Sequence, residues 1–236
     1  MAGSTPRILA LAGDSLQPTS TDGPMHEYLL DLTGRERPRV CCITTASGDN
    51  WEYLAQFYAY FAQRAEASHL GLFDRQVADI EGFLLQQDAI YVGGGNTANM
   101  LAIWRIHGVD VALRKAWQAG VVLAGSSAGA NCWFDASLTD SFGRGLAAMG
   151  DGLGFLKGSF CPHYDSESLR RPRYAELVGS GALADGYAAD DGVGLLFEGS
   201  ELAGAVASLP GSSAFRVERR KGNQVEETPI RPRVLR

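Results

Sequence analysis

Val121 to Trp133 reads VVLAGSSAGANCW: four apolar residues, then Gly-Ser-Ser-Ala-Gly, then an apolar pattern from Ala130 suited to a helix. The order is strand, sharp turn, helix. Ser127 stands at the centre of G-x-S-x-G, where the turn is tightest, and Gly125 and Gly129 are small enough for strand and helix to approach each other. Ser127 becomes an exposed hydroxyl on a rigid elbow. The N–H of Ala128, opening the helix, points at any oxyanion formed on a substrate that Ser127 attacks. Small residues at such a turn can also merely ease packing or cradle a phosphate. The motif by itself does not separate these readings.

Just upstream, Ala89 to Val92 (AIYV) reads as a strand, Ala98 to His107 as a helix stopped by Gly108, and Val109 to Gln118 as a helix ended by Gly120. Between the first two lies Gly93-Gly94-Gly95-Asn96-Thr97. Three consecutive glycines cost backbone entropy, so the chain path there must be unusual. The candidate functional reason is an N–H of the loop aimed at a bound oxyanion, with Asn96 and Thr97 as substrate-binding candidates; a phosphate site and a purely structural loop are the alternatives. GGGNT matches neither dinucleotide nor P-loop spacing. Both loops follow consecutive strands, on the sheet edge where open α/β sheets bind ligands.

Towards the N-terminus, Arg7 to Ala12 reads as a strand, Gly13-Asp14-Ser15 as a turn, Gln17 to Pro24 as a loop and Met25 to Leu32 as a helix. Arg39 to Thr44 is an apolar run of strand length, as a strand buried on both faces requires. Asn50 to Ala67 carries Trp51, Leu54, Phe57, Tyr58, Phe61 and Ala65 at helical steps, with the aromatics assigned to the core. Ser68 to Leu72 is the next strand and Val77 to Gln86 the next helix. This alternation predicts an α/β fold, a largely parallel sheet flanked by helices on both faces. After a helix over Tyr174 to Leu183, the runs 193–197, 201–207, 214–219 and 224–229 read as a C-terminal antiparallel strand extension, with Pro232 to Arg236 a frayed tail.

The 236 residues, 45% hydrophobic and 20% charged, suit one domain over 1–236. A net charge of −6 argues against nucleic acid or an anionic membrane as the main partner. No apolar run approaches the roughly 20 residues that span a bilayer, and Ile8 to Ala12 is too short for a secretory signal. The expected location is the cytoplasm. Cys41, Cys42, Cys132 and Cys161 show no C-x-x-C pairing and read as reduced core residues, so neither metal nor cofactor is expected.

Ser127 needs a base. His69 falls within a predicted strand and His107 closes a helix, which leaves His26, opening a helix, and His163 in FCPHYD, after an apolar run ended by proline. His163 is preferred. The carboxylate that orients it has three candidates, Asp140, Asp191 and Glu198. Arg170 and Arg171, in SESLRRPR, read either as a solvated basic turn or as guanidiniums for a substrate carboxylate.

Together GGGNT, GSSAGAN (125–131), CPHYD (161–165) and DDG (190–192) resemble the peptidase E-like serine peptidases, the group that includes cyanophycinase. The resemblance implies a class I glutamine amidotransferase-like (flavodoxin-like) fold with serine in place of the nucleophilic cysteine. It places Ser127 as nucleophile, His163 as base, and Gly95 with Ala128 as oxyanion donors; Asp191 or Asp140 is the third member. The implied activity is hydrolysis of short peptides as a dipeptidase, best known for Asp-X, and a homodimer is compatible with it. Two other readings stay open: an α/β-hydrolase-type esterase, and a non-catalytic binding protein on the same fold.

Overall fold

The computed structural model describes residues 5–16 and 23–236. Five parallel strands build its centre: β1 (Arg7–Leu11), β2 (Arg39–Ile43), β3 (Glu66–His69), β4 (Ala89–Val92) and β5 (Val122–Ser126). Between them run α1 (Gly23–Leu32), α2 (Trp51–Phe61), α3 (Ile80–Leu85), α4 (Thr97–His107) and α5 (Val109–Gln118). Alternation along the strands sorts the core. Leu9, Leu11, Val40 and Cys42 pack on α1 and α2 through Met25, Leu29, Leu54 and Phe57. Ile8, Ala10, Cys41 and Ile43 pack on the other face with Leu84, Trp104 and Leu113 of α3, α4 and α5.

The chain then leaves the first sheet. After the four-residue α6 (Ala128–Asn131) come β6 (Phe134–Thr139), β7 (Ala147–Met149), β8 (Leu156–Cys161), α7 (Arg170–Ser180) and β9 (Gly186–Ala189). Next, β10 (Val193–Glu198) and β11 (Glu201–Ala207) return to the first sheet, β12 (Ala214–Arg219) and β13 (Val225–Ile230) go to the second, and β14 (Arg233–Val234) closes the chain. The first sheet has the order β14-β11-β10-β1-β5-β4-β2-β3, and the second β13-β12-β9-β8-β6-β7. Phe134 and Tyr187 of the second sheet meet Phe197 of β10 edge-on, at centroid distances of 5.7 and 5.5 Å. That contact seats one sheet on the other. α7 covers the far side of the second sheet with Tyr174, Leu177 and Val178.

Several expectations are corrected. The helix predicted after the elbow is the four-residue α6, because residues 132–134 turn and Phe134 enters β6; its neighbours are all buried, so no periodicity distinguished helix from strand. The helix over 50–67 ends at Phe61 and the next strand is β3, two residues earlier than predicted. Trp51 is 72% exposed rather than in the core. The helix predicted over 174–183 is α7, starting at Arg170. The extension is split: β10 and β11 lie antiparallel beside β1, while β12 and β13 belong to the second sheet. The tail is held, with β14 parallel to β11 and the Leu235 N–H on the Ala207 carbonyl at 2.8 Å. Of the loop predicted over 17–24, residues 17–22 lie outside the described residues, and Gly23 and Pro24 open α1. No helix among the described residues is long and apolar enough to cross a membrane.

Candidate active site

Ser127 sits between β5 and α6 at φ 54°, ψ −109°, a backbone conformation that costs a non-glycine residue free energy. Its surroundings enforce it. A Cβ on Gly125 would come within 2.1 Å of the Gly129 carbonyl oxygen, and one on Gly129 within 2.2 Å of the Val92 carbonyl. Strand, elbow and helix are therefore in backbone contact, as G-x-S-x-G requires. The Ser127 N–H is held by the Leu11 carbonyl at 3.0 Å, which ties the elbow to β1.

His163 follows β8 and also has positive φ, 56°. Its Nε2 lies 2.8 Å from Ser127 Oγ and its Nδ1 2.6 Å from Asp191 Oδ1. An ionised carboxylate only accepts, so Nδ1 carries the proton and Nε2 is left as the acceptor for the serine hydroxyl. Asp191 lies in the turn from β9 to β10. Its N–H donates to Asp165 Oδ1 at 3.0 Å, and the Ser166 hydroxyl reaches its carboxylate. The hydrogen bond from His163, aided by Ser166, outweighs partial burial and holds the Asp191 carboxyl below the usual range. The acid is ionised wherever His163 needs a counter-charge.

Two glycine segments frame these groups. Gly95 has φ 135°, and a Cβ there would meet the Ala46 carbonyl oxygen at 2.3 Å, so only glycine fits. Gly94 lies against the elbow, where an added Cβ would stand 3.4 Å from Ser127 Cβ. Neither the Gly95 nor the Ala128 N–H has a protein acceptor among the described residues. Gly13, read from sequence only as part of a turn, is the seat of the histidine and its acid: a Cβ there would lie 2.2 Å from Asp191 Oδ1 and 2.7 Å from His163 Cε1. Its carbonyl also accepts the Gly192 N–H at 2.8 Å. The signal available was its place after a strand on the same sheet edge as Ser127.

Other predicted residues lie elsewhere. Asp140 is exposed and borders a cleft of about 460 Å³ with Arg144, Leu146, Ser166 and Leu169; Asp191, not Asp140, bonds His163. Glu198 ends β10 opposite Arg7, with which it pairs at 3.5 Å, at the other end of the sheet. The Asn96 side chain is engaged within the protein: its Oδ1 caps α4 by accepting the Asn99 N–H at 2.8 Å, and its Nδ2 donates to the Ser141 carbonyl at 3.0 Å. Thr97 is buried, 1% exposed. Arg170 and Arg171 also depart from a substrate role. Arg170 is 3% exposed and bonds Glu167 at 2.7 Å, while Arg171 pairs with Glu227 and lies over the rings of Tyr164 and Phe215. His26, set aside as a base, is buried against Asp14 at 2.8 Å. His69 accepts or donates at Nδ1 to Tyr58, 2.8 Å away.

The model of peptidase family S51 matches residues 8–204. An uncharacterized peptidase, YgaJ, of Bacillus subtilis (strain 168) is 44% identical over 225 residues, 95% of this chain and 96% of that protein. The fold is similar to that of a peptidase from an acI-B1 Actinobacterium, with TM-score 0.71, 14% identity, and 98% and 96% of the two chains covered. It is also similar to a Listeria monocytogenes EGD-e protein assigned to peptidase E, with TM-score 0.63, 17% identity, and 87% and 99% covered. At those identities the structures speak for the fold alone.

Proposed function

The chain belongs to peptidase family S51, and from that premise we propose that it is a serine-type dipeptidase acting through Ser127, His163 and Asp191. The observation that carries this reading is the unbroken run of hydrogen bonds from Asp191 through His163 to the strained Ser127. His163 Nε2 takes the Ser127 proton as Oγ attacks the peptide carbonyl. The oxyanion is held by the Gly95 and Ala128 N–H groups. As the C–N bond breaks, His163 returns the proton to the leaving amine. Water, deprotonated by His163, then releases the acyl group as a carboxylate. Asp191 keeps Nδ1 protonated throughout and stabilises the imidazolium.

Two clefts support a small substrate: one of about 300 Å³, lined by Gly13, Ser15, His163, Asp191 and Leu209, opens on the reacting groups, and the one of about 460 Å³ lies beyond Ser166. The second cleft sets Asp140 and Glu167 against Arg144, and a short peptide carries an ammonium and a carboxylate. A cleft of about 460 Å³ suits a peptide of this size. Asp-X dipeptides are the first to try, since Arg144 is the cleft's cation. The test is release of free amino acid from dipeptides with Asp, Glu, neutral and basic N-termini, run with the parent and Ser127→Ala. Cleavage by the parent alone supports the reading, and the preferred N-terminus names the substrate. Equal activity in both proteins, or none anywhere, would sink it.

A further inference from the structure

The mechanism above leaves unused a buried charge directly under the site. Asp14 follows Gly13, and its side chain is 1% exposed. Among the described residues three groups surround its carboxylate: His26 Nε2 at 2.8 Å, the Tyr91 hydroxyl at 2.9 Å from each oxygen, and the Ser126 hydroxyl. The Tyr91 hydroxyl is also 3.1 Å from that of Tyr53, on α2. Tyr53 packs under the glycine loop, where a Cβ on Gly93 would meet its Cζ at 3.1 Å.

Counting protons gives this chain a direction. A phenol has one proton, and an ionised carboxylate can only accept. Burial opposes ionisation of Asp14, but the donors His26, Ser126 and Tyr91 outweigh it and hold the carboxyl below its usual range. Tyr91 therefore gives its proton to Asp14 and Tyr53 gives its own to Tyr91, which fixes the Tyr53 hydroxyl under the glycine loop, 3.3 Å from where a Cβ on Gly93 would stand. The chain joins the segments that carry the reacting groups. Gly13 seats His163 and Asp191, Ser126 precedes Ser127, and Gly94 flanks the Ser127 side chain. Held from below at Gly93, the loop presents its Gly95 N–H with no protein acceptor among the described residues.

We propose that Tyr53, through Tyr91 and Asp14, is a positioning residue that orients the Gly94–Gly95 backbone so that the Gly95 N–H meets the oxyanion. This rests on the serine reading of the site. A cluster that merely satisfied its own hydrogen bonds would add stability and leave the reaction rate alone. A positioning chain acts on the rate and spares binding.

The probe is a fluorophosphonate. Labelling forms the bond from Ser127 Oγ to phosphorus, breaks the P–F bond with loss of fluoride, and passes the serine proton to His163. Tyr53→Phe should lower kinact about ten-fold, less than the 10²–10³-fold cost of losing an oxyanion donor outright. KI should stay within about two-fold of the parent. Tyr91→Phe should show the same split; should it fail to fold, Tyr53→Phe still decides. Tyr58→Phe removes another phenol of α2, bonded to His69, and should label like the parent. An unchanged kinact in Tyr53→Phe, or a fall shared by Tyr58→Phe, overturns the inference while leaving Ser127 as nucleophile. A parent that does not label, or label that survives Ser127→Ala, overturns the serine reading and this inference with it.

Discussion

Two histidine–aspartate pairs lie side by side in this molecule, anchored by adjacent residues of one loop. Gly13 seats His163–Asp191, and Asp14 forms its own pair with His26. Their contact distances are alike, 2.6 and 2.8 Å, but their settings are not. His163 and Asp191 are 20% and 44% exposed, whereas His26 and Asp14 are each 1% exposed. The far nitrogen of His163 meets a serine hydroxyl; that of His26, Nδ1, is buried with no partner among the described residues. The same pair of residues can thus serve chemistry or structure. What decides is access to solvent and what the second ring nitrogen touches.

If that contrast is right, substitutions should separate the pairs by what they damage. Ser127→Ala should lower turnover on the order of a million-fold, measured as kcat on a cleaved dipeptide, with the fold intact by circular dichroism. Asp191→Asn keeps the shape but loses the acceptor that fixes the His163 tautomer, and kcat should fall about 10⁴-fold. His26→Ala should do its damage in stability, since it strands the Asp14 carboxylate in the interior. A loss of about 3 kcal/mol in denaturant unfolding is expected, against less than about 1 kcal/mol for His163→Ala in its more open setting. Gly13→Ala sharpens the boundary between the two. Its Cβ would displace Asp191 and His163, so activity should fall about 100-fold, as a misplacement of about an ångström does, with a smaller change in stability.

The smallest effect is in acid. Both carboxyls are held below their usual range, Asp14 by donors that outweigh its burial and Asp191 by His163 first. A depressed folded value means that each contributes stability above the unfolded carboxylate value of about 3.9, lost as pH falls through the folded value. Unfolding midpoints between about pH 2 and 5 should therefore drop with acid in the parent. The drop should flatten in Asp14→Asn more than in Asp191→Asn, because the second group is half-exposed and screened. Equal flattening would erase the distinction between the pairs.

The same division runs through what could be read before the structure. The five parallel strands were legible because Arg39 to Ile43 and Ala89 to Val92 are apolar runs of the right length, and their loops sit on one edge. β3 was harder: as the edge strand it is half-exposed, and its sequence EASH carries no apolar run. The second sheet was hidden for the opposite reason, since residues 128–134 are uniformly buried and show no period. Ser127 and His163 could be named because each ends an apolar run at a strand's edge. Asp191 could only be ranked against Asp140 and Glu198, since choosing among them needs the fold that carries Glu198 to the far end of β10. Asn96, Arg170 and Arg171 have side chains of the right chemistry, but a helix cap and ion pairs occupy them, and Thr97 is buried. Gly13 and Asp14 went unread because their partners lie up to 178 positions along the chain, as Asp191 does from Gly13.

The most direct test of the serine reading is where a fluorophosphonate adduct forms. Peptide mapping by mass spectrometry after labelling should find one phosphonyl group per chain, on Ser127, with the adduct lost in Ser127→Ala and strongly slowed in His163→Ala. An adduct on another residue, or peptide cleavage that continues undiminished in Ser127→Ala, would contradict it.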